Sequence, residues 1–356
     1  MTTTDTPSPS KPTDASGRTA YLVLGMHRSG TSAVTQLLSL AGAQLPKNVM
    51  PGDEHNAQGY FEPWRIATFN DERLRAAGSA WDDAFAFPYS ELPPSESAAW
   101  RQRAIDLFSE EFAGRRYPLM KDPRVTVLLP FWREVFEAFD LRARCVIPVR
   151  HPLAVAGSLA RRDGFAPQKS VLIWSAYMLA AEAYSRDLPR AFVDYDSMLA
   201  DWRSEVARIE RGHGAALPKL GKTAVLRIDA ALTSELRHNR ADGDLRALGW
   251  TGEIAAAVHD WFCAAARDQA PPTAALDAVA ARLAERRQDI GALVSPAARD
   301  LDAVRSELLA LRQTLAWEHR ERELLQARFE TLQREWWVQK GVMDEAGWAL
   351  DALLAN

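Results

Sequence analysis

The stretch from Tyr21 to Leu40 sets the terms for any fold of this chain. A short apolar run, Tyr21 to Leu24, ends in Gly25-Met26-His27-Arg28-Ser29-Gly30-Thr31-Ser32, and Ala33 to Leu40 continues with apolar residues at Val34, Leu37 and Leu38. This change of period predicts a strand, a glycine loop and a helix. Backbone N–H groups in such a loop converge on an anion together with the positive end of the helix dipole, and the glycines let the backbone approach closely. The expected ligand is therefore phosphate-like. A nucleotide-binding P-loop reads Gly-x-x-x-x-Gly-Lys-Ser/Thr. Here Gly30 is followed by Thr31, and the cation, Arg28, stands before that glycine.

The same grammar recurs along the chain. Ala143 to Val149 reads as a strand, Arg150-His151-Pro152 follows, and Leu153 to Arg162 reads as a helix with its proline where a helix begins. Ala191 to Val193, before Asp194-Tyr195-Asp196, and Thr223 to Ile228 are further strand candidates alternating with helical segments. Such alternation predicts βαβ units around a parallel sheet. The expectation is an α/β class fold, a P-loop-like three-layer domain over residues 19–235 with a central parallel sheet.

Composition bounds the function. With 43 Lys+Arg against 47 Asp+Glu and a net charge of −4, no global positive field is available for nucleic acid, so any anion site must be local. Two cysteines, Cys145 and Cys263, make neither a disulfide framework nor a metal-ligand spacing, which fits a reducing compartment, by default the cytoplasm. No run approaches a membrane span; Val171 to Ala181 is the best and is far too short. Residues 1–18, rich in Thr, Ser and Pro without an apolar segment, read as a disordered tail.

The displaced cation carries a family likeness. Arg28-Ser29-Gly30-Thr31-Ser32 after an apolar strand resembles the 5′-phosphosulfate loop of sulfotransferases that use 3′-phosphoadenosine 5′-phosphosulfate (PAPS), including the bacterial, carbohydrate and tyrosylprotein types. In that family an Arg ending a later strand and a Ser on the next helix bind the donor's 3′-phosphate, and Arg150, Ser158 and Arg162 match this pattern, with Arg161 the neighbouring alternative. Ser158 and Arg162 lie one helical turn apart, so they share a face.

The resemblance implies PAPS as donor, bound through Gly25, His27, Arg28, Ser29, Gly30, Thr31, Ser32, Arg150, Ser158 and Arg162, with no metal required. Sulfuryl transfer needs charge stabilisation on the moving SO₃ group, a cationic contact to the leaving oxygen and a base for the acceptor hydroxyl. Arg28 with Thr31 and Ser32 supplies the first two. In the related carbohydrate and tyrosine enzymes a Glu after the first helix is the base, and here Asp53 to Glu62 occupies that place, on a connection longer than the family's. Glu62, in Gly59-Tyr60-Phe61-Glu62, is the first choice, set beside aromatic rings that desolvate it and stack on a sugar. Glu54, His55 and His27 are the alternatives.

Lys121, in Leu119-Met120-Lys121-Asp122-Pro123-Arg124, resembles the family's Lys-x-Pro segment, which reaches the acceptor or the transferring group; otherwise it is a strand-end lysine paired with Asp122. Tyr195 with Asp196 resembles a Tyr-x-x-Leu segment downstream of the 3′-phosphate site, or is a core tyrosine. The chain holds 12 Trp, and Trp64, Trp81, Trp132 and Trp174 fall in the stretch expected to line the acceptor cleft. Aromatic faces stack on pyranose rings, so the expected acceptor is a hydroxyl of a saccharide or glycolipid precursor.

Residues 236–300 read as helices closing the domain and a linker. From Leu301, apolar residues at Val304, Leu308, Leu311, Leu315, Leu325, Phe329, Leu332 and Trp336 follow an a/d heptad track, with Glu318 and Arg322 as polar exceptions. Residues 301–340 are thus a coiled coil, joining copies of the chain or recruiting a partner, or one long amphipathic helix on the body, and 341–356 a C-terminal tail. Two competing functions stand beside the transferase: an ATP-dependent P-loop kinase, and a nucleotide-binding scaffold with a coiled-coil partner site.

Overall fold

Along β1 (Arg18–Val23) and into Leu24, side chains alternate between two buried environments: Ala20, Leu22 and Leu24 enter one apolar cluster, Tyr21 and Val23 another. A strand with both faces covered is the mark of a parallel sheet between helical layers. The computed structural model describes residues 18–50, 52, 59–233 and 243–354. Its sheet has four parallel strands in the order β2-β1-β3-β4, where β2 is Leu119–Met120, β3 Leu141–Val149 and β4 Arg190–Asp194.

The helices are α1 (Thr31–Leu40), α2 (Trp64–Ala76), α3 (Pro94–Phe112), α4 (Pro123–Val127), α5 (Leu129–Ala138), α6 (Pro152–Asp163), α7 (Pro167–Tyr184), α8 (Tyr195–Ala200), α9 (Trp202–His213), α10 (Lys222–Ala231), α11 (Trp250–Ala265) and α12 (Thr273–Leu354). Helices α2 to α7 and α11 pack on one sheet face around Trp132, Trp174 and Phe262; α1 and α8 to α10 pack on the other around Val34, Leu37 and Ile209. The result is the expected three-layer α/β arrangement with a P-loop-like strand, loop and helix at its centre. Residue Pro152 stands at the first position of α6, where its missing N–H costs no helical bond.

One expected strand is a helix. Thr223 to Ile228 lies within α10, because Val225, Ile228 and Leu232 recur at helical spacing and pack together toward α1, whereas Leu226 faces solvent. In a strand, Val225 and Ile228 would point to opposite faces. The β-branched residues of this segment suggested a strand; tertiary packing overrode that preference. The expected tail lies outside the described residues except for Arg18, which already belongs to β1.

The chain divides into two units, Met1–Arg299 and Asp300–Asn356. The first contains the sheet and the opening turns of α12, whose Leu276, Val279 and Leu283 are buried in its core. The second consists of the continuation of α12, helical to Leu354 through the stretch read as a tail. Among the described residues no helix is long and apolar enough to cross a membrane.

Candidate active site

Every strand of the sheet delivers a residue to one place. The order β2-β1-β3-β4 makes the chain leave β1 toward one side and β3 toward the other, and the crevice at the carboxyl ends of such strands is where ligands bind in open α/β sheets. Gly25 to Ser32 follow β1, Lys121 follows β2, Arg150 follows β3, and Tyr195 follows β4.

The loop after β1 is shaped by its glycines. Gly25 has φ +142° and donates its N–H to Thr126 Oγ1 at 2.8 Å; Gly30, at φ +89°, is the N-cap of α1. A side chain at Gly30 would have no room, since its Cβ would lie 2.3 Å from Tyr195 Cδ2. Tyr195 is therefore a packing surface for the loop as well as a buried ring. The first N–H groups of α1 have no intrahelical partner and open toward the loop. Arg28 itself adopts φ 66°, an uncommon conformation for a residue with a Cβ. Two buried polar atoms of the loop, His27 Nε2 and Ser29 Oγ, lack hydrogen-bond partners among the described residues.

The second cationic group closes on the first. Arg28 Nε donates to Ser158 Oγ at 2.7 Å, and Arg150 Nη1 donates to the Arg28 carbonyl at 2.8 Å, with the Arg150 guanidinium 4.7 Å from the centre of the Tyr195 ring. The structure thus brings Arg28, Arg150 and Ser158 together across 122 and 130 residues of sequence. Arg162 sits at the same helix face but turns to Asp163, at 2.8 Å, and to Trp81, 5.3 Å from the ring centre. Arg28 is held below the ordinary arginine value first by burial and then by Arg162; Arg150 is lowered by burial first, with Arg161 acting in the same direction. Crowded, partly desolvated cations of this kind favour a multiply charged anion.

On the other side of the loop stands a buried ion pair. Lys121 Nζ lies 2.6 Å from Glu62 Oε1, donates to the Tyr60 carbonyl at 3.0 Å and reaches Ser32 Oγ at 3.4 Å. Both Lys121 and Glu62 are buried. Glu62 Oε2 is 3.9 Å from Arg124 Nη1, and Arg124 is in turn bound by Asp71 and Asp122. The Asp122 side chain caps α4 by accepting from the Arg124 N–H, and accepts from Asn70 at 2.7 Å. The alternative of a solvated strand-end lysine paired with Asp122 does not describe Lys121, which is buried and paired with Glu62. Glu54 and His55 lie outside the described residues.

His27 points into the protein, its ring 4.9 Å from that of Trp81. Burial lowers its pKa well below the ordinary histidine value, and the surrounding Arg124, Arg162, Lys121 and Arg28 add to the shift. It is neutral at neutral pH.

Of the tryptophans expected at the acceptor side, Trp132 and Trp174 are wholly buried core residues. Trp132 donates to Asn70 Oδ1 at 2.9 Å. Trp64 is exposed and lines a shallow groove between α2 and α3 with Arg65, Phe69 and Arg103. Only Trp81 sits beside the loop, stacked on Phe165 with ring centres 5.8 Å apart. Sequence reasoning passed over Thr126, which holds Gly25, and Arg124, which flanks Glu62; Pro123-Arg124 beside Lys121 was the available signal. Among the described residues no group of three or more His, Cys, Asp and Glu side chains is arranged to hold a metal ion.

No protein-family model matches the chain, and no curated relative does. Among solved structures it is similar to the sulfotransferase domain of the Synechococcus PCC 7002 olefin synthase, at 19% identity and a TM-score of 0.41, over 71% of this chain and 98% of that one. It is also similar to the sulfotransferase domain of the curacin biosynthetic pathway, at 15% identity and a TM-score of 0.39, over 71% of this chain and 99% of that one.

Proposed function

We propose that the chain is a sulfotransferase that moves a sulfuryl group from PAPS to a hydroxyl acceptor. The observation that carries this reading is the contact of Arg28 with both Ser158 and Arg150, which joins the glycine loop to the end of β3 in one cationic site. Two anionic groups at a fixed separation suit it: a 5′-phosphosulfate at Gly25 to Ser32, and a 3′-phosphate at Arg150 and Ser158 with Arg162 nearby. Helix dipole, loop N–H groups and guanidinium charge then neutralise the donor without a global positive field.

The acceptor oxygen forms a bond to sulfur as the S–O bond to the 5′-phosphate breaks. The acceptor proton goes to Glu62, and adenosine 3′,5′-bisphosphate leaves. Lys121, in reach of both Ser32 and Glu62, is the cation best placed to meet the charge that develops on the bridging oxygen, while Arg28 serves the donor from the opposite side. A saccharide hydroxyl remains the proposed acceptor, its support now reduced to Trp81 and the aromatic Gly59 to Glu62 turn. The free cysteines Cys145 and Cys263 suit work in the cytoplasm.

The kinase reading is disfavoured because no lysine follows Gly30 and because the second cationic group, Arg150, lies against the loop carbonyl. Incubation with ³⁵S-labelled PAPS and a panel of sugars, glycolipids and simple alcohols, without added metal, tests the proposal. Label passes to a hydroxyl acceptor with the unmodified chain and not with Glu62→Gln. Magnesium-dependent ATP turnover with no sulfuryl transfer overturns it.

A further inference from the structure

The second unit of the chain presents an ordered pattern of exposed side chains. Along α12, Leu301, Leu308, Leu315, Phe329 and Trp336 occupy the a positions and Val304, Leu311, Leu325 and Leu332 the d positions, each between 44% and 63% exposed. At about 1.5 Å per residue this stripe is roughly 54 Å long. An apolar seam with a strict heptad period belongs against another helix of the same period.

The flanking positions identify that helix. The e positions carry Arg305, Arg312, His319, Gln326, Gln333 and Lys340, cations or neutral groups throughout; the g positions carry Asp300, Glu307, Thr314, Glu321, Arg328 and Glu335, anionic apart from neutral Thr314 and basic Arg328. In a parallel, in-register pair each g residue meets the e residue five positions on in the partner. That rule opposes Asp300 to Arg305, Glu307 to Arg312 and Glu335 to Lys340, and opposes Arg328 and Glu321 to neutral glutamines, with no like charges facing at these flanking positions. An antiparallel pair sets e against e and g against g, and the register that brings Leu308 against Leu332 places Glu307 beside Glu335 and Glu321 beside its own copy.

Two charged residues interrupt the seam: in a parallel pair Glu318 at d faces its own copy and Arg322 at the following a faces its own copy, with the opposite charge one layer away. A charged layer within an apolar seam fixes register, and a two-stranded coil leaves its a and d heads a route to water.

We infer that a second copy of this chain docks on the face from Leu301 to Trp336, in parallel and in register, forming a two-stranded coiled-coil dimer. This inference does not depend on the reaction. Sedimentation of the full chain at tens of micromolar should give twice the 39.6 kDa chain mass. The variant Glu307→Arg/Glu335→Arg should associate at least roughly tenfold more weakly, and mixing it with Arg312→Glu/Lys340→Glu should restore a dimer containing one copy of each. With Cys263→Ala, Leu332→Cys should close a disulfide between copies on oxidation. A monomer, a larger oligomer, or a disulfide formed only between Leu308→Cys and Leu332→Cys chains, which an antiparallel pair brings face to face, overturns the inference.

Discussion

Lys121 Nζ stands 2.6 Å from Glu62 Oε1 while the same nitrogen reaches Ser32 Oγ at 3.4 Å, so one buried ammonium connects the candidate base to the anion-binding loop. The strand end that supplies Lys121 is adjacent to the strand that supplies the loop, and the parallel register of β1 and β2 makes this link a property of the fold.

Replacing Glu62 by Gln should lower sulfuryl transfer by about 10²- to 10⁴-fold, the range of a lost general base. Binding of adenosine 3′,5′-bisphosphate should be little changed, because the donor contacts lie with Arg28, Arg150 and Ser158. Steady-state rates beside calorimetric titration check this; full activity in Glu62→Gln moves the base to another residue.

Breaking the buried pair from the other side should destabilise the fold as well as lower turnover. Lys121→Ala leaves the Glu62 carboxylate buried beside Arg124 at 3.9 Å alone, at a cost of about 3–5 kcal/mol. The double variant Glu62→Gln/Lys121→Met removes both charges and should be markedly more stable than Lys121→Ala in urea denaturation.

Gly30→Ala should abolish donor binding. The added methyl would meet the Tyr195 ring at 2.3 Å and the backbone at φ +89° disfavours any side chain by about 1–2 kcal/mol, so the loop must move. Adding Tyr195→Ala relieves the collision but not the backbone strain, and should recover fold stability in part. Thermal unfolding with and without the bisphosphate reads both effects.

The buried histidines contribute a stability that falls on mild acidification. Burial lowers the pKa of His213 and of His259 to about 4, and lowers His27 in the same direction. These side chains are neutral when folded, whereas in the unfolded chain they take up protons near the ordinary histidine value. Their stabilising contribution is thus complete above about pH 6.5 and is lost as pH falls toward 4, by on the order of 1 kcal/mol per pH unit for each fully titrating histidine. His213, with Nε2 on the Cys145 carbonyl at 3.0 Å, is the cleanest probe: a His213→Gln chain should show a shallower decline in urea midpoint between pH 6.5 and 4.5.

Much of this arrangement is legible in sequence because its parts are local. A glycine loop between an apolar strand and an amphipathic helix, and an Arg-His-Pro step into the next helix, each declare their geometry within a few residues. The Lys121–Glu62 pair and the Tyr195 contact with Gly30 are not local; they depend on which strands are neighbours, and no spacing along the chain encodes that. The segment Thr223 to Ile228 misled for the opposite reason: its β-branched residues suit a strand, but its apolar positions suit the helical face that packs against α1. Trp132 and Trp174 show the ambiguity of large aromatics, which serve a core and a ligand cleft by the same chemistry.

One cationic site formed by Arg28, Arg150 and Ser158 is assigned to the sulfuryl donor, and calorimetric titration of the full chain with adenosine 3′,5′-bisphosphate and with ATP, without added metal, tests that assignment most directly. The bisphosphate should bind in preference to ATP, and Arg150→Ala should weaken that binding by about 1.5–3 kcal/mol, roughly 10- to 150-fold in Kd. Binding of ATP alone, or bisphosphate affinity unchanged in Arg150→Ala, would contradict the assignment of this site to a sulfuryl donor.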